Sequence, residues 1–204
     1  MVFCGIILTV NITAIGFSTY LSQLQTAYGV SDWLSFVLVT QPALLYPPFS
    51  FVGSYFFARF PIHYVLNMAM ALILLGSWVR SLSFAGESPK FWVLFIGQMM
   101  IFMAQPLVMN SISTIANIWF ADHERARSTA FSGTMNPIGA IVGLVLTGVI
   151  ASGVDSDSPT DCLDRLQEIV LAQNIINTII TVPFFLLFRE KPKTPPSKLA
   201  STFS

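Results

Sequence analysis

Six stretches of this chain stay apolar for about twenty residues or more, and that fixes the solvent in which it folds. A helix rises ~1.5 Å per residue, so ~20 residues cross the ~30 Å hydrocarbon core of a bilayer. The runs occupy 3–24, 34–57, 64–84, 91–120, 129–150 and 169–188. Each is expected to be a membrane-crossing helix, within a bundle spanning 1–188 and followed by a cytoplasmic linker or tail at 189–204. That tail is polar and interrupted by Pro192, Pro195 and Pro196, so it cannot continue a membrane helix. The segment 151–168 reads as the one long stretch outside the membrane. The first run has no basic segment before it and no small-residue cleavage site followed by a soluble domain, so it is expected to stay in the mature protein.

Composition narrows the classes further. Of 204 residues, 54% are apolar and 10% charged, and ten basic side chains balance ten acidic ones. A soluble domain is excluded, and no basic surface is available for nucleic acid. Cys4 and Cys162 stand in unlike surroundings and make no metal-ligand spacing, so neither a disulfide framework nor a metal site is expected.

Orientation follows from the basic residues near the span ends. With the N-terminus inside, Arg59, Arg125, Arg127, Arg189, Lys191, Lys193 and Lys198 fall on the cytoplasmic side, and only Arg80, Lys90 and Arg165 fall outside. Both termini are therefore expected in the cytoplasm, and the plasma membrane is preferred to an internal one.

Polar groups within the runs are nearly all uncharged. Arg80, close to an end of the third run, is expected to snorkel to the interface, and the fourth run has no ionisable residue, so a proton relay confined to this chain is not expected. Asn11, Thr13, Gln98, Asn110, Asn174 and Asn177 are expected to hydrogen-bond between helices. Gln105 is the exception. It precedes Pro106 in mid-run, where a missing amide would break the helix and leave it lining a cavity. Pro42, Pro47, Pro48 and Pro137 are expected as further breaks, and Gly139 with Gly143 as a close helix contact. His63 and His123 are read as loop residues, and Gly16-Phe17-Ser18 lacks the second glycine of a nucleophile elbow, so no catalytic residue is expected.

One loop reads Trp119-Phe120-Ala121-Asp122-His123-Glu124-Arg125, which resembles the segment joining helices four and five in many major facilitator superfamily transporters. More specific are Tyr28-Gly29-Val30, Gly76-Ser77-Trp78-Val79-Arg80, Phe91-Trp92-Val93, Gly97-Gln98, Ala104-Gln105 and Glu190-Lys191-Pro192-Lys193. Together these resemble the feline leukaemia virus subgroup C receptor-related branch, associated with choline, ethanolamine and haem. The resemblance covers the first six of that family's twelve helices. It implies an all-α fold of two inverted three-helix repeats, and transport of a small organic solute, most simply a choline-like cation, with no cofactor and no enzymatic activity. The partners it implies are the lipid bilayer, a small-molecule substrate and a second six-helix half, either a C-terminal one or another copy.

By the same resemblance Gln105 falls on a glutamine that meets the substrate's polar end. Ala14 falls where the family has a cage tryptophan, and Phe17, three residues on, could offer the aromatic face instead. Arg59, Glu124 and Arg125 fall on gating loops, although 58–63 keeps the base and lacks the family's acid and glycine. Haem transport, or a non-transporting chain that pairs with a longer relative, are the alternatives.

Overall fold

The computed structural model describes residues 2–85, 90–152 and 158–188. Among these there is no strand. The helices are α1 (Val2–Ile15), α2 (Leu21–Tyr28), α3 (Asp32–Arg59), α4 (Ile62–Ser81), α5 (Phe91–Trp119), α6 (Arg125–Ile150) and α7 (Pro159–Leu187). A 3-10 stretch, Gly16–Tyr20, joins α1 to α2, so the first span, Phe3–Tyr28, is one membrane crossing with a break in it. Among the described residues, six segments are long and apolar enough to cross a membrane. The tail at 189–204 lies outside the described residues, as do the Glu190-Lys191-Pro192-Lys193 motif and the acids Asp155 and Asp157.

Packing follows a two-fold pattern. The first span packs on α6 and α7, α5 packs on α3 and α4, and α4 meets α7. Exchanging the first span with α5, α3 with α6, and α4 with α7 maps every one of these pairs onto another or onto itself. Three spans form each repeat, and an odd number of crossings makes the second repeat enter the membrane from the opposite face. The fold is therefore two inverted three-helix repeats.

Several local readings change. The prolines do not break their spans: α3 runs through Pro42, Pro47 and Pro48, α5 through Pro106 and α6 through Pro137. Each proline removes a single rung, and the remaining backbone groups have no water to turn to. The break falls instead in the first span, which has no proline. Nor is 151–168 wholly a loop, since α7 begins at Pro159. Ser158 caps it by accepting from the Asp161 amide at 3.4 Å, with proline at the first helical position. His63 likewise belongs to the first turn of α4, its ring tilted 40° against that of Tyr64.

The core has two layers. The lower one, toward the α3–α4 and α5–α6 connections, is apolar and includes Ile7, Val10, Leu66, Met70, Ile73, Ala104 and Val108. The upper one, toward the α2–α3 and α4–α5 connections, includes Phe17, Tyr20, Leu24, Phe91, Leu94 and Leu166. Gly139 and Gly143 bring α6 onto the α1 backbone. A methyl group on Gly139 would collide with the Leu8 carbonyl, and one on Gly143 would stand 2.8 Å from that of Ile12. The expected close contact is therefore present. Gly76 and Gly97 do the same for α4 and α5, where a Cβ on either would lie 2.7 Å from the other's carbonyl oxygen.

Candidate functional site

Gln105 sits on α5 next to Ala104, one turn from Val108, and borders the lower layer. Its side chain is half-buried, and Oε1 is sequestered without a hydrogen-bond donor. Such an oxygen is costly to leave bare in an apolar setting, so it is an acceptor suited to a hydroxyl or ammonium donor. Gln41 on α3 is similar, 3% exposed with neither amide atom bonded. Standing beside Pro42 in a long apolar run, Gln41 carries no sign of this in the sequence.

Phe17 and Ala14 are elsewhere. Thr13, beside Ala14, accepts from Gln98 Nε2 at 3.4 Å through its carbonyl. That puts Ala14 level with Gln98, seven residues or about 10 Å along α5 from Gln105. Phe17 lies one turn further up, packed with Phe91 and Leu94, and is 2% exposed. Its ring is already engaged, because the Arg80 guanidinium carbon stands over it at 5.5 Å from the centroid. The structure thus does not bring Phe17 to Gln105, and the expected free aromatic face is taken by a cation of the chain itself.

Arg80 is the largest departure from expectation. It does not snorkel; it is fully buried. Nη1 donates to Gln98 Oε1 at 2.7 Å, Nη2 donates to Asn174 Oδ1 at 3.3 Å, and Nε has no acceptor. Around it Asn174 donates to Ser81 at 2.6 Å, and Asn177 donates to Ser77 at 2.7 Å and to Thr13 Oγ1 at 3.0 Å. Interhelical bonding by Gln98, Asn174 and Asn177 was expected; the cation at its centre was not. Asn110 also bonds between helices, donating to Ser50 at 2.8 Å and accepting from Tyr46 at 3.3 Å. Asn11, by contrast, donates to the Ile7 carbonyl of its own helix.

At the lower end, Arg59 closes α3 and lies 5.5 Å from the centroid of the Tyr55 ring. Arg125 opens α6, paired with Asp122 at 2.7 Å and donating to the Asn117 carbonyl at 3.5 Å. Glu124 lies 3.9 Å from His123. Arg125 therefore ties the end of α5 to the start of α6.

The profile of the Major Facilitator Superfamily matches residues 1–203. The chain belongs to that superfamily. Among its relatives, the choline/ethanolamine transporter flvcr2a of Danio rerio is 28% identical over 81% of this chain and 34% of its own length. The choline/ethanolamine transporter FLVCR1 of Felis catus is 28% identical over 84% of the chain and 30% of its own length. An uncharacterized MFS-type transporter of Caenorhabditis elegans, C09D4.1, is 26% identical over 85% and 28%. The chain thus spans about a third of the length of these relatives. These similarities agree with the branch that the motifs suggest.

Within this superfamily member, most of those motifs are packing devices. Gly29 caps α2 with φ +60°, its amide donating to Gln25, and the Tyr28 hydroxyl meets Ser83 at 2.6 Å. Gly76, Ser77 and Arg80 meet Gly97, Gln98 and Asn177. Within those motifs, Gln105 keeps a buried acceptor unused, as Gln41 and Asn177 do outside them.

Proposed function

We propose that this chain is the first half of a transporter for a small organic cation of the choline or ethanolamine class, with Gln105 as the contact for its polar end. The superfamily membership supports transport, and the two relatives named as choline/ethanolamine transporters support the class. The observation that carries the residue assignment is the unpartnered Gln105 Oε1. Choline has one hydrogen-bond donor, its hydroxyl, and ethanolamine adds an ammonium; either can satisfy that oxygen. Phe17 is not the aromatic wall in this reading, because its face holds Arg80. A second six-helix half supplies the remaining walls, the two halves rock about a site near the midplane, and both termini of this half face the cytoplasm of a plasma-membrane protein.

The test is uptake of labelled choline by the protein in membranes, compared with Gln105→Ala. Loss of one neutral hydrogen bond, about 1 kcal/mol, raises the half-saturation concentration about fivefold. Uptake by a well-expressed Gln105→Ala protein indistinguishable from wild type removes Gln105 from the site.

A further inference from the structure

The break in the first span is gripped from three directions. From α4, the Arg80 guanidinium lies over the Phe17 ring. From α7, the Gln173 amide rests against Gly16, so closely that any Cβ there would collide with it, and Thr147 of α6 stands 3.2 Å from that same Cβ position. Also from α7, the Cys162 carbonyl accepts from the Tyr20 hydroxyl at 3.0 Å. Within the break, the Ser18 hydroxyl donates to Ile15 at 2.8 Å and that of Thr19 to Gly16 at 3.4 Å, occupying carbonyls that the change of helix type disturbs. Gly16 and the back-bonding hydroxyls of Ser18 and Thr19 permit a break, and these tertiary contacts hold it.

We propose that Arg80 is a positioning residue that sets this break, and with it the angle between α1 and α2. Its two forked donors are fixed by Gln98 on α5 and Asn174 on α7, so the ring of Phe17 is held against three other helices at once. An ionisable residue kept at this depth by neutral amides marks a functional element of a membrane protein. The break is the joint between α1 and the upper third of the first span, and Arg80 holds the backbone geometry seen there. A lysine keeps the charge and loses the fork, so Arg80→Lys separates charge from geometry. Gln105, about two turns below Gln98, is not touched by this change. The inference uses the transport reading only for its flux measurement.

The first measurement is hydrogen exchange on the full chain in lipid nanodiscs. Arg80→Lys is expected to speed exchange of the Gly16–Tyr20 amides at least tenfold while leaving residues 66–73 of α4 unchanged. Phe17→Leu, which keeps apolar bulk and removes the ring, is expected to give the same local acceleration and stands in if the Arg80 variant does not accumulate. Unchanged exchange at 16–20 in the accumulating variant, or acceleration spread evenly through the bundle, overturns the proposal. In uptake of labelled choline, Arg80→Lys is expected to change the maximal rate severalfold with half-saturation held within twofold; a change in half-saturation alone also overturns it. If wild-type protein takes up no choline, the substrate reading fails and the exchange experiment still decides the role of Arg80.

Discussion

The lower layer of the bundle is mainly apolar and the upper layer is wired with hydrogen bonds. Below, Ile7, Val10, Leu66, Met70, Ile73 and Val108 meet in an apolar cluster, the buried Thr9, Asn11 and Ser111 bond to carbonyls of their own helices, and the bonds of Asn110 to Ser50 and Tyr46 run to α3 alone. Above, Arg80, Gln98, Asn174, Asn177 and Thr13 join four of the six spans. In a bilayer, polar contacts between helices are worth only about 0.6 kcal/mol each on average, so close packing dominates stability in both layers. The polar layer contributes position more than strength. It directs α4, α5, α7 and the broken first span into one arrangement, whereas the apolar layer tolerates small slides.

That contrast can be broken at several points. Gly97→Val has the largest expected effect. The new side chain meets the Gly76 carbonyl and the Arg80 amide, neither of which can withdraw, and a cost of about 3 kcal/mol or more should abolish the folded band in detergent size-exclusion chromatography. Leu66→Ala comes next, with about 2–5 kcal/mol lost to the cavity in the apolar layer and a lowered thermal midpoint. Asn177→Ala should cost about 1 kcal/mol, visible by thermal unfolding and smaller than the Leu66 effect although two hydrogen bonds disappear. A larger loss for Asn177 than for Leu66 would reverse the ranking of the layers. Smallest is Gly133→Ala on the open face of α6, where nothing lies within 4 Å, expected to leave stability unchanged or raise it by up to about 1 kcal/mol.

The division between layers also explains what could be read from residues alone. All six spans were legible, because a run of about twenty apolar residues has few fates, and Gly139 with Gly143 announced its contact by spacing. The break at Gly16–Tyr20 was not legible, since Gly16, Ser18 and Thr19 only permit one and the groups packed on it, Arg80, Thr147, Gln173 and Cys162, come from distant parts of the chain. Arg80 read as a snorkelling residue because one helix taken alone offers it only the interface; its acceptors, Gln98 and Asn174, lie 18 and 94 positions away. The prolines misled in the opposite sense, since a residue that ends helices in water has no better alternative in lipid. At the candidate site, Gln105 stood out by its place in mid-run, whereas Phe17 was placed by helical spacing that could not foresee an arginine on its ring.

The most direct test sets Gln105→Ala beside Arg80→Lys in one concentration series of labelled choline uptake. The Gln105 variant is expected to raise half-saturation about fivefold with its maximal rate kept, and the Arg80 variant to change the maximal rate with half-saturation kept. The same kinetic change in both variants would contradict the separation of a solute contact beside the apolar layer from a positioning network above it.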